Sequence, residues 1–341
     1  MDSRSNRRHL QTYTGDSAWY LARTGSTHPE VGIPAASDDQ ALIEHLFLNG
    51  LKGGSAYAAH PVSIRATRVL DGRTAVLLDQ SAFVAGRLHP IAERAIELLP
   101  FEAEDGSLGG VDGLRTDRPN PVDRRGLHLR LLQAPTARLT LVGPAQNEWT
   151  NRLAAREQEL TAARCQPLWT TRERGAAELA HRAAHGSYED EEAESRWLTS
   201  GLLRRIGLWH NTSNAFCTRY WQRGDGTFIW ELRHLYGVPV THDDFAAHLK
   251  DPQWGLPLSV QKSHCDCHSR RPDRGGQPHP DYQRQCTFTF HHRGDRAGEL
   301  QIRFRTEAPT EDRSDTREEL RRVGADSAWL RRVLPLRGPQ G

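Results

Sequence analysis

Leu42, Ile43, Leu46 and Phe47 recur at helical spacing behind Ser37-Asp38-Asp39, a capping sequence, and ahead of Gly50, a stop. They predict an amphipathic helix between those signals. The period then changes. Ser63 to Leu70 alternates, Asp71-Gly72 offers a tight turn, and Thr74 to Leu78 returns as apolar strand, which reads as a hairpin. Pro90 stands near the start of a short helical stretch, HPIAERAIELL, where its missing N–H costs little. Residues 1–100 are therefore expected to form a small N-terminal α+β unit.

Residues 101–126 are dominated by Gly, Asp and Pro and show no period, so they are expected as a linker or loop. Leu127 to Leu132 and Ala137 to Val142 alternate as a second hairpin, followed by helical patterns at 148–164, 171–185 and 189–206. The acidic run Glu189 to Glu192 would lie in the first turn of the last, complementing its dipole. This hairpin and central helical region span 127–208.

From 209 to 341 strands prevail. Phe216 to Gln222 and Thr227 to Tyr236 flank an Arg-Gly-Asp-Gly turn, and Cys286 to His292 and Glu299 to Arg305 flank another Arg-Gly-Asp turn. In the second hairpin, Phe288 and Phe290 match Leu300, Ile302 and Phe304 as a buried face. Leu256 to Gln261 adds a strand and Thr316 to Val333 a closing helix. The fold class expected is α+β, ending in a C-terminal antiparallel β-sheet with a Cys/His metal site.

Composition narrows the function classes. At 341 residues and 37% apolar content the chain can bury a sizeable core but has no apolar run of membrane-spanning length, and its basic N-terminus lacks the apolar stretch of a secretory signal. A cytoplasmic protein is expected. Lysine occurs only at positions 52, 250 and 262, an arginine bias of the kind a GC-rich bacterial genome produces. A net charge of +2 argues against a strongly electrostatic nucleic-acid binder over the whole surface.

The chemistry concentrates in SHCDCHSRRPDRGGQPHPDYQRQCTFTFHH, residues 263–292. Clustered cysteines in a chain without export signals favour a metal over disulfides. Zinc takes four tetrahedral Cys or His ligands, and Cys265, Cys267 and Cys286 are the expected thiolates. The fourth is open between His264, His268 and the distant Cys217, which would approach if the first strands of the two hairpins lay side by side. His292 is excluded, because strand rise places it about 20 Å from Cys286. The spacing is not that of a zinc-ribbon knuckle, and neither a His-Glu-x-x-His protease signature nor a zinc-deaminase motif occurs. His242-Asp243-Asp244 reads as a capped helix start.

The leading expectation is a zinc-stabilised binding protein acting on nucleic acid or in a nucleoprotein complex, with Arg270, Arg271, Arg274 and Arg284 as the contacting residues. Trp197, Trp209, Trp221, Trp230 and Trp254 read as core or, interleaved with arginines, as stacking groups. The alternative is a metal-dependent hydrolase or nuclease, for which an open ligand position near His242, Asp243 or Glu231 would be the sign. A partner-binding subunit is a third reading, marked by an exposed apolar patch.

Overall fold

The computed structural model describes residues 3–17, 32–51, 56–57, 60, 64–70, 73–79, 90–117, 126–186, 195–215, 217–235, 240–265, 285–294, 296–307, 317–318, 320–321 and 327–334. In chain order its helices are α1 (Ser3–Thr14), α2 (Asp38–Gly50), α3 (Pro90–Glu97), α4 (Gln146–Ala162), α5 (Ala176–His185), α6 (Arg196–Arg204), α7 (Gly207–Thr212), α8 (His242–Leu249) and α9 (Ser327–Val333). Its strands are β1 (Ala56–Tyr57), β2 (Ile64–Leu70), β3 (Arg73–Leu78), β4 (Phe101–Glu102), β5 (Leu108–Gly109), β6 (Leu114–Thr116) and β7 (Leu127–Leu131). They continue with β8 (Arg138–Val142), β9 (Gln166–Pro167), β10 (Cys217–Gln222), β11 (Phe228–Leu235), β12 (Leu258–Cys265), β13 (Gln285–His292) and β14 (Glu299–Glu307). The fold is α+β. Among the described residues no helix is long and apolar enough to cross a membrane.

Two compact units share the chain. The central unit is Pro34–Lys52 with Ile64–Arg204, and the terminal unit is Met1–Ile33, Gly53–Ser63 and Arg205–Gly341. In the central unit the Ser37 side chain accepts the Gln40 N–H, so α2 starts where its cap predicts. Its buried residues include Leu42, Ile43, Leu46, Phe47 and also Glu44, whose carboxylate meets Arg204 of α6 at 2.8 Å. Ser200, Thr74 and Gln40 donate to the same carboxylate. A second buried pair, Arg115 with Glu178, anchors α5. Glu178 also accepts the Gly175 N–H at 3.0 Å, which is why α5 begins at Ala176 rather than at 171.

The central unit's main sheet runs β2-β3-β8-β7-β6, with β3 and β8 parallel and every other pair antiparallel. Both predicted hairpins are there. The stretch expected as linker or loop contributes β4, β5 and β6; two of these are two-residue strands, too short to leave an alternation in sequence.

The terminal unit's sheet runs β1-β10-β11-β14-β13-β12. Both C-terminal hairpins form as expected, but β11 lies parallel to β14, so the sheet is mixed rather than antiparallel throughout. Hairpin β10-β11, helix α8 and strands β12, β13 and β14 thus repeat the order of β2-β3, α3, β6, β7 and β8. In each case the last strand returns parallel to the second strand of the hairpin. Trp209 of α7 packs 4.5 Å from Trp230 and 5.2 Å from Phe245, so these tryptophans are core. Trp221 is partly exposed, with Arg303 5.5 Å above its ring. Gly207 is required where α7 meets the end of α1, since a Cβ there would fall 2.1 Å from the Gly15 nitrogen.

Candidate metal centre

Helix α8 buries His242, Phe245, Ala246 and Leu249, an i, i+3, i+4, i+7 stripe whose first member is an imidazole. Asp243 and Asp244 occupy its first turn, as the capping reading expects. The stripe faces aromatic side chains of the sheet: the His242 ring lies 5.4 Å from Phe288 and 5.8 Å from Phe304. Along β13, Cys286, Phe288 and Phe290 are buried and pair with Phe304, Ile302 and Leu300 of β14. Cys286 therefore belongs to the face that α8 covers. Across the other ladder, Cys286 stands directly opposite Cys265, the last residue of β12.

Three donors converge there. The two Sγ atoms are 3.6 Å apart, Cys265 Sγ is 3.2 Å from His242 Nε2, and all three donor atoms lie within 4.8 Å of one another. Metal–ligand lengths of about 2.3 Å for Zn–S and about 2.0 Å for Zn–N imply tetrahedral edges of about 3.8 Å between sulfurs and about 3.6 Å between sulfur and nitrogen. The sulfur–sulfur and Cys265–His242 separations are within about half an ångström of those edges, and the sulfurs are far from the ~2.05 Å of a disulfide. The group can hold a metal ion. His242 Nδ1 lies 3.0 Å from the exposed Asp243 carboxylate but is buried without a hydrogen-bond partner among the described residues, so nothing described there fixes the ring's tautomer.

Of the expected ligands, Cys265 and Cys286 are brought together. Cys267 and His268 fall outside the described residues, as do Arg270, Arg271, Arg274 and Arg284. His264 precedes Cys265 on β12 and, by strand alternation, projects from the opposite face. The structure does not bring Cys217 to the cluster. Strands β11 and β14 separate β10 from β13, placing its backbone about 14 Å across the sheet at ~4.8 Å per strand. His292 pairs with Leu258 at the far end of the β12–β13 ladder. Glu231, a candidate for catalysis, alternates away from Leu232 and is 2.8 Å from Arg233. Asp243 is 81% exposed, so no buried carboxylate faces the donors among the described residues.

His242 is the candidate donor that the sequence reading did not include in its ligand set. Its signal was present: a histidine at the head of an otherwise apolar helical stripe is carried into the core with the stripe. What the sequence could not supply was the strand that the stripe would meet.

A second histidine sits beneath the same sheet face. His234 of β11 is buried against Phe304, 5.8 Å between rings. Burial pushes its pKa down to about 4; a backbone contact with Leu232 offsets part of this, and nearby His242 adds to the depression. The unfolded chain takes up that proton near pH 6.5. The contribution of His234 is thus complete above pH 6.5 and is lost as pH falls from 6.5 towards 4, up to about 3 kcal/mol in all. In metal-free protein, His234→Leu should flatten the unfolding free energy against pH over that interval. An unchanged slope would assign the acid sensitivity elsewhere.

No family model, curated protein or solved structure matches this chain.

Proposed function

We propose that the chain is a zinc-stabilised binding protein acting on nucleic acid or in a nucleoprotein complex, with His242, Cys265 and Cys286 as metal ligands. The observation that carries this reading is the convergence of two thiols and an imidazole within 4.8 Å of one another, with the sulfur–sulfur and Cys265–His242 spacings near tetrahedral edges. Zinc is the favoured ion because this donor set is borderline-soft and suits its geometry. Once bound, it would supply a fixed link between α8 and the end of the β12–β13 hairpin. Residues 266–284, which join β12 to β13 in sequence, carry Arg270, Arg271, Arg274 and Arg284. Arginine side chains suit phosphate contacts.

Purified protein should contain about one equivalent of zinc by elemental analysis, and Cys265→Ser with Cys286→Ser should lose it. Full zinc retention by that double variant would sink the assignment. Cobalt substitution tests the catalytic alternative. A tetrahedral spectrum unchanged by added anions means the fourth position is filled by protein, whereas anion-sensitive bands mean an open position and favour the hydrolase reading. Affinity for an oligonucleotide should fall steeply with salt, and each arginine-to-alanine change that removes a phosphate contact should reduce the log–log slope by about 0.7–0.9. Binding indifferent to salt would remove nucleic acid as the partner.

A further inference from the structure

We propose that Cys265 and Cys286 are also a peroxide-oxidisable dithiol, whose disulfide excludes the metal. The disulfide is argued from geometry alone; the exclusion rests on the metal reading above. The two residues are directly opposed in the antiparallel β12–β13 ladder. Opposed residues of such a ladder have Cα atoms about 4.5–5.5 Å apart, inside the ~4.4–6.8 Å range that a disulfide bridges without moving the backbone. Side-chain rotation alone has to bring the sulfurs from 3.6 Å to bonding distance.

The two thiols differ in access. Cys265 is exposed, at the end of an edge strand, and Cys286 is 1% exposed beneath it. That pairs a reachable sulfur with a sheltered resolving one. Hydrogen peroxide oxidises the Cys265 thiol to a sulfenic acid, its O–O bond breaking and one oxygen leaving as water. The Cys286 sulfur then attacks the Cys265 sulfur; an S–S bond forms, the S–O bond breaks, and the second oxygen leaves as water with the Cys286 proton. Two thiols are oxidised and one peroxide is reduced to two waters. Neither sulfur remains a thiolate, so two of the three described donors to the metal are gone, and His242 is the one left of that group to hold it. Reduction restores all three.

The test uses the full chain, reduced and stripped of metal, then treated with hydrogen peroxide. Two of the five thiols should disappear, peptide mapping should join Cys265 to Cys286, and zinc uptake should be lost until a dithiol reductant is added. Cys286→Ser should leave Cys265 as a sulfenic acid trapped by dimedone, while Cys165→Ser, in the central unit, should change nothing. A bridge from Cys286 to Cys267, or oxidation of Cys265 to sulfinic acid in the unsubstituted chain without a bridge, overturns the proposal. So does an oxidised chain that still takes up zinc. A reduced chain that takes up no zinc while the mapped bridge forms supports the dithiol and overturns the metal reading instead.

Discussion

Replacing Glu44 by alanine should destabilise the protein by about 3–5 kcal/mol in a denaturant titration, the cost of leaving a buried guanidinium unpaired. Glu44 is 0% exposed and Arg204 1%. The Arg204 Nε and Nη2 both donate to the carboxylate, and its Nη1 donates to the Pro34 carbonyl at 2.9 Å. With the acid gone, the first two donors lose their charged acceptor in a buried site, where the hydroxyls of Ser200 and Thr74 or a water cannot replace the carboxylate cheaply. Glu44→Gln should cost less, because it keeps acceptor and shape. Replacing both residues by methionine should recover much of the loss. If Glu44→Ala costs under about 1 kcal/mol, the value of an exposed pair, the site is hydrated in solution and Arg204 does not depend on this carboxylate.

Removing the metal should produce a comparable effect in the terminal unit, and its location is the sharper test. At a free zinc concentration a thousandfold above the dissociation constant, binding stabilises the folded state by about 4 kcal/mol. The β12–β13 hairpin is already held by its ladder, which pairs Leu258 with His292 at one end and Cys265 with Cys286 at the other. What a bound ion would add is His242, and with it helix α8. Chelation should therefore accelerate amide hydrogen exchange in Phe245, Ala246 and the rest of α8, and at the cysteine end of the ladder. The Leu258–His292 end should change little. His242→Ala should reproduce this pattern in protein supplied with zinc. Equal exchange in α8 with and without metal would reduce the cluster to an adventitious neighbourhood of donors.

The hairpins were legible because their information is local. Phe288 and Phe290 against Leu300, Ile302 and Phe304 need only alternation and a turn between them, and the structure pairs Phe288 with Ile302 and Phe290 with Leu300. Helix α2 was legible from its cap and its stop. The pairings that decide the site were not. β11 and β14 meet in parallel across more than sixty residues, and that insertion separates β10 from β13 and keeps Cys217 away from Cys286. The pairing of Cys265 with Cys286 was half legible: a shared ion was expected from spacing, but direct opposition in one ladder is a matter of register. His242 was assigned to a cap because the sequence shows a helix start, not the sheet face beneath it.

The recurrence of one strand order in both units supplies the molecule with its own control. The β6–β7 connection occupies, in the central unit, the place that the β12–β13 connection has in the terminal unit. Residues 118–126 there carry three arginines and neither cysteine nor histidine. If the two units descend from one ancestral module, the thiols and the imidazole are a gain or loss in a single copy, layered onto a connection that was arginine-bearing in both. The metal would then be an acquired constraint on one of two sibling loops, and transplanting 118–126 into the terminal unit asks how much of its behaviour was inherited without it.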